Sequence, residues 1–231
     1  MRTHSATSEH LLLLAGVKEE RPLVIVGAGG FGREVLDVVN AINQRERVWE
    51  VMGFVADDEP DTDVLARIGC PWLGPVGAFL ASPSADHYVI GVGDPAARRS
   101  VAGQFDTAGL TPALLVHPSA TIGADVELGA GSVICSHVSL TTNIRLGHHV
   151  HVNLNSTIGH DSRIADFVTI NPLVAVSGDV TLQEDVTMGT LSSILQGLHV
   201  GAGSFVGAGA VVTKDVAPET TVVGVPAKPI P

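Results

Sequence analysis

A parallel α/β unit followed by an all-β, parallel β-helix of triangular cross-section is the fold class that this 231-residue sequence predicts, on three observations. First, stepping by six from position 116 to position 212 meets Val, Ile, Leu or Met at all 17 stops. A period of six matches neither the 3.6-residue helix nor a strand with two faces, so the unit is a short strand plus a turn, stacked as a solenoid. Second, a small or β-branched residue stands four places after most of these stops, as at Ser132, Val138, Ser156, Ser162 and Val168. Third, the buried-strand run Leu23-Val24-Ile25-Val26 passes directly into Gly27-Ala28-Gly29-Gly30-Phe31-Gly32 and then into helical spacing, which opens a βαβ unit.

Residues 1–21 read as a flexible leader. The apolar run from Leu11 to Val17 is too short to span a membrane, and Lys18-Glu19-Glu20-Arg21 behind it spoils a signal-peptide cleavage region. Residues 22–115 form the α/β domain. After the first strand come a helix over 33–42 with Val35, Val38, Val39 and Ile42 on one face, and a strand over 49–56 that ends at Asp57-Asp58. A strand over 87–93 and a helix over 95–108 complete the domain, and their order predicts a parallel sheet.

Residues 116–217 form the solenoid, in which three hexads close one coil of 18 residues. The aliphatic residue is expected in the corner of the prism, with the smaller one letting the chain turn beside it. One coil cannot bury its own apolar face, but stacked coils share a continuous core. Glycine directly after the aliphatic residue, as in Ile122-Gly123, Ile158-Gly159 and Val206-Gly207, suits tight corners. Residues 218–231 cap the open end, where Lys228 supplies a cation.

A formal charge of −11 argues against nucleic acid as a partner, because neutralising phosphates needs a basic face. Cys70 and Cys135 show neither metal spacing nor a disulfide framework, so reduced thiols in a cytoplasmic protein are the expectation. Gly27-x-Gly29-x-x-Gly32 at a strand-to-helix junction lets a diphosphate approach backbone N–H groups at the positive end of a helix. The unit ahead of the solenoid is about half of a two-lobed dinucleotide fold, and Asp57 stands near where a ribose-binding acid would lie. A nucleoside diphosphate of short reach is therefore favoured over a nicotinamide dinucleotide.

Six of the ten histidines lie between positions 137 and 199 of the solenoid. His148-His149-x-His151 has no acid or cysteine ligand beside it, and neighbouring strand residues point to opposite sides, so these read as outward-facing polar residues and no metal is expected. His160 keeps different company. Asp161 follows it, and one coil further on stands Gly178, which leaves space and a free backbone N–H beside the imidazole. An imidazole whose tautomer is held by a carboxylate is suited to take a proton from an attacking amine or hydroxyl. Nothing pairs Cys135 with a base, so direct transfer without an acyl-enzyme is expected.

With Val-Gly-Ala-Gly-Gly-Phe-Gly-Arg at 26–33, the hexads, Ile-Gly-His-Asp at 158–161, Gly-Ala-Gly-Ala-Val-Val at 207–212 and Gly-Val-Pro-Ala-Lys at 224–228, the chain resembles a known family over residues 22–228. It is similar to the left-handed β-helix (hexapeptide-repeat) acyltransferases of the sialic acid O-acetyltransferase type and their nucleotide-4-amino-sugar N-acetyltransferase relatives. The resemblance implies a Rossmann-like first domain, a left-handed second one, and a homotrimer that binds acetyl-CoA as co-substrate between neighbouring prisms. It implies His160 as general base, Asp161 as its orienting acid, and Gly178, Thr190, Ala208 and Lys228 as cofactor positions. Gly27, Gly29, Gly30, Phe31, Gly32, Asp57, Asp58, Gly93, Arg98 and Asn153 match positions near the nucleotide sugar. The activity implied is transfer of acetyl to the amine of a nucleotide-linked 4-amino-4,6-dideoxy sugar. O-acetylation of a sugar or sialic acid hydroxyl is the alternative, and a non-catalytic nucleotide-sensing scaffold a second. One departure is Thr169, where some aminosugar N-acetyltransferases carry another histidine.

Overall fold

The computed structural model describes residues 20–230, so the leader expected at 1–21 lies almost wholly outside the described residues. Four parallel strands, β1 (Arg21–Val26), β2 (Trp49–Val55), β3 (His87–Ile90) and β4 (Thr111–Pro112), form a sheet in the order β2-β1-β3-β4. Helix α1 (Gly30–Arg45) covers one face of the sheet. Its apolar stripe Val35, Leu36, Val38 and Val39 is buried with Leu23 and Ile25 of β1. Between β2 and β3 run α2 (Thr62–Ile68) and α3 (Val76–Ala81), and α4 (Pro95–Thr107) follows β3. Phe79 of α3 and Phe105 of α4 pack with Val24 and Val26 on the opposite face. The alternation along β1 is the two-residue period of a strand buried on both sides.

The solenoid begins at β5 (Leu115–Val116) and runs as a parallel β-helix of three faces. The first face includes β5, β8 (Val133–Ile134), β11 (His151–Val152) and β14 (Thr169–Ile170). The second includes β12 (Thr157–Ile158) and β21 (Val211–Val212), and the third includes β13 (Arg163–Ile164). Each strand pairs with the one a coil away, 18 residues on, as Val152 does with Ile170. At the end, β22 (Thr221–Val223) pairs in parallel with the first face and then antiparallel with β23 (Lys228–Pro229).

Two details of the hexad differ from the sequence expectation. The aliphatic residues lie in the strands, pointing into the prism, and the turn falls two and three residues later. The third residue after each aliphatic from Ile122 to Val206 is left-handed, including His137 (φ 58°), Asp161 (φ 64°) and Leu191 (φ 60°). The glycines after the aliphatic residue serve close approach instead of the corner: a Cβ on Gly159 would stand 2.5 Å from the Gly178 nitrogen. Adjacent coils come so near at that step that only a residue without a side chain fits. The small residue four places on has its own logic. Ser156 donates to the Asn171 carbonyl (2.9 Å) and accepts from Val174 N–H (3.2 Å), stitching one coil to the next from inside the prism.

The two domains share an apolar cluster in which α1 residues meet Leu115, Val133 and Cys135 of the first solenoid face. This docking overturns the outward-facing reading of the histidine run. His148 is exposed, but His149 is 4% and His151 0% accessible. They do point out of the prism, yet the first domain covers that face. His149 stacks on Phe167 at 5.1 Å, and His151 lies 4.8 Å from Phe31 of α1.

Candidate active site

A cleft of about 580 Å³ opens at the carboxyl ends of β1 and β2, lined by Gly27, Ala28, Gly29, Arg33, Asp57, Asp58 and residues of α4. The chain leaves β1 toward β2 on one side and reaches β3 on the other, which makes this a topological switch point where α/β sheets bind ligands. Gly27 needs its positive φ of 101°, and a Cβ on Gly32 would overlap the Gly27 carbonyl. Gly29 and Gly30 have nothing within 4 Å of a Cβ position, so the space beside the first turn of α1 is open. No side chain caps that turn, and its amides are free to meet an anion. Asp57 accepts from Val76 N–H (2.9 Å) and so ties α3 to the rim.

Not every predicted substrate residue gathers here. Phe31 sits against His151, and Asn153 is buried, 6% accessible, two residues beyond that histidine. Arg98 is a correction: it is fully buried and offers nothing to a ligand. Its five N–H groups go to the carbonyls of Val92 (2.9 Å), Gly93 (3.0 Å), His149 (3.0 Å), Phe167 (2.7 Å) and, more weakly, Val168 (3.4 Å), and to Thr169 Oγ1 (2.9 Å). Burial pulls its guanidinium down to about 10, still protonated at neutral pH. Thr169, itself buried, donates on to the Gly93 carbonyl (2.9 Å).

His160 stands on the edge between the second and third faces, half exposed, with Nδ1 2.7 Å from Asp161 Oδ2. Asp161 also accepts from Asn143 Nδ2, and the bonds to His160 and then Asn143 hold its carboxyl below the usual carboxylate range. An Nδ1–H donated to this carboxylate leaves the lone pair on Nε2. That nitrogen hangs over Gly178: a Cβ there would be 2.5 Å from Nε2. The Gly178 N–H makes no hydrogen bond among the described residues.

The register carries this edge onward. Ile158 pairs with Val176, Val176 with Ile194 and Ile194 with Val212, so His160, Gly178, Gln196 and Lys214 form one vertical line. Three rungs at the ~4.8 Å spacing of paired strands place Lys214 about 14 Å from the imidazole along the axis. Lys214 and Lys228 line the same 500 Å³ cleft at the solenoid's end. Sequence reasoning missed Lys214, although its spacing from His160, three coils of 18, was countable. Thr190 and Ala208 stack one coil apart on the other edge of the second face. Leu173 and Leu191, 48% and 61% accessible, share that edge. Cys135 is 1% accessible, and burial chiefly pushes its thiol up to about 12, so it stays protonated. Among the described residues no cluster of three metal-binding side chains occurs, and no helix is long and apolar enough to cross a membrane.

The PglD N-terminal domain family matches residues 22–105. The chain is 30% identical over 187 residues to GDP-perosamine N-acetyltransferase of Escherichia coli O157:H7, covering 78% of itself and 82% of that protein. It superposes with a TM-score of 0.83 and 25% identity on PerB from Caulobacter crescentus, solved with CoA and GDP-perosamine, over 91% of this chain and 97% of that one. The acetyltransferase domain of PglB from Neisseria gonorrhoeae, solved with acetyl coenzyme A, gives 0.82 and 30%, over 92% and 100%.

Proposed function

The chain belongs to the hexapeptide-repeat nucleotide-sugar N-acetyltransferases, and from that premise we propose that it carries acetyl from acetyl-CoA to the amine of a nucleotide-linked 4-amino-4,6-dideoxy sugar, with His160 as general base. The observation that carries this reading is the imidazole itself, held by Asp161 at Nδ1 and poised at Nε2 above a bare glycine. The amine attacks the thioester carbon and forms the C–N bond while Nε2 accepts the amine proton. The carbonyl oxygen becomes an oxyanion that the Gly178 N–H stabilises. Collapse breaks the C–S bond, and the imidazolium returns its proton to the leaving thiolate. Positioning of two bound reactants supplies much of the rate.

The first-turn amides of α1 and the Gly27 loop bind the diphosphate, with Asp57 and Asp58 toward the ribose and sugar side of the cleft. The acetyl-CoA arm runs along the His160 edge, and Lys214 and Lys228 meet its phosphates. Thr190 and Ala208 reach the same cofactor from the opposite edge of a neighbouring copy, which makes the working unit a homotrimer. Support for that assembly comes from Leu173 and Leu191, apolar side chains spent on exposed left-handed turns. An L-residue of that kind gains nothing there unless another surface covers it.

The test is thiol release from acetyl-CoA with a panel of nucleotide-linked 4-amino sugars, set against free sialic acid as a hydroxyl acceptor. Amine acceptors are expected to react and sialic acid is not. His160→Ala is expected to lower kcat by about 10²-fold or more while sedimentation still shows the trimer. Near-normal turnover in that variant removes His160 from the mechanism.

A further inference from the structure

We propose that Arg98 is a positioning residue that fixes the nucleotide cleft onto the coil carrying the base; the inference rests on the role given to His160 above. The guanidinium belongs to α4, whose Ala97 and Val101 line the cleft. It donates to Val92 and Gly93, in the loop at the cleft's inner end, and to His149 and Phe167 in the solenoid. Those two solenoid carbonyls are one coil apart, the Phe167 N–H itself bonding to His148 O (2.9 Å). The single turn of chain between them contains His160 and Asp161. One planar group thus clasps both ends of the catalytic coil and the wall of the cleft at once.

Hydrogen bonding to neutral oxygens holds the guanidinium, while the fields of Asp185 and Asp94 only partly offset the cost of its burial. Among the described residues no carboxylate hydrogen-bonds Arg98 and its acceptors are neutral oxygens, while its neighbour Arg99 takes the ion pairs with Glu184 and Asp185. A buried cation satisfied by carbonyls from two domains and the Thr169 hydroxyl gains from geometry, since the rigid five-donor fork fits one arrangement of those oxygens. Lysine keeps the charge but offers three donors from one point, so it cannot span both coils and the loop.

Arg98→Lys tests this in the full-length trimer. For the nucleotide-linked acceptor, kcat is expected to fall about tenfold or more, while KM for acetyl-CoA and the affinity for the free nucleoside diphosphate stay within about threefold. The same amino sugar without its nucleotide, which reaches His160 without using the cleft, is expected to react at the wild-type rate. Thr169→Val, which removes only the hydroxyl link between Arg98 and Gly93, is expected to show a smaller loss with the same selectivity. Equal losses for tethered and untethered acceptors would mean that Arg98 only supports the fold, and an unchanged kcat in both variants would mean that it positions nothing. A wild-type protein that acetylates no nucleotide-linked amine would instead sink the activity assigned above.

Discussion

Ser156 shows how much of this molecule is decided by single side chains. Its hydroxyl bridges two coils inside the prism, accepting one backbone N–H and donating to one carbonyl. Ser132 and Ser162 repeat the device. Ser156→Ala leaves both backbone groups without that partner in a dry interior and is expected to cost about 1–3 kcal/mol in urea unfolding, with little change in activity. The bare step at Gly178 is as specific: any side chain there enters the space of Nε2. The juxtaposition of His160, Asp161 and Gly178 was legible in the sequence because the 18-residue spacing is arithmetic. The left-handed position three residues past each aliphatic was not, since Asp, Asn, His, Phe and Leu all occupy it. The stack imposes that conformation on whatever residue stands there, which hides it from composition.

At the scale of an element, the edge that runs from His160 to Lys214 is a straight line of stacked positions with an imidazole at one end and two ammonium groups at the other. In the proposed binding mode the phosphates of acetyl-CoA lie at the ammonium end and its thioester at the imidazole end. Lys214→Ala is expected to raise KM for acetyl-CoA about tenfold while leaving kcat near normal, because a charge-assisted contact far from the reacting atoms contributes equally to ground and transition states. The check is a Michaelis series for the variant, and a fall in kcat at unchanged KM would place Lys214 elsewhere in the reaction. The first face teaches the opposite lesson about legibility. Its histidines were read as solvated because strand alternation reports which way a side chain leaves the prism, and says nothing of what waits outside. Arg98 failed for the same reason, since a motif match near a ligand does not tell a wall from its buttress.

For the whole molecule, the seam between the domains is where pH acts. Burial first, then the positive Arg98, lowers the pKa of His149 to about 4 despite the opposing Asp106 and Asp166; burial, Arg98 and His149 lower His151 well below its ordinary value. Both rings are therefore neutral in the folded protein at neutral pH. In the unfolded chain they take protons near pH 6.5, so between that value and about 4 the unfolded state binds more protons and stability falls as the pH is lowered. Urea midpoints are expected to drop on going from pH 7 to pH 5, and His149→Phe is expected to shrink that drop. The division into a sheet domain and a solenoid could be read from two periodicities, one of two residues and one of six. The way they clasp could not, because it depends on carbonyls that every sequence possesses.

One consequence follows from the uniform rung. Because every coil between His160 and Lys214 advances the chain by the same step, the prism is a ruler on which the length of the proposed cofactor arm would be marked in whole divisions. Excising one 18-residue division between Gly178 and Lys214 would shorten that scale by a single mark while leaving both ends chemically intact, so on the proposed binding mode the size of the acyl carrier is written into the number of turns and not into any one side chain.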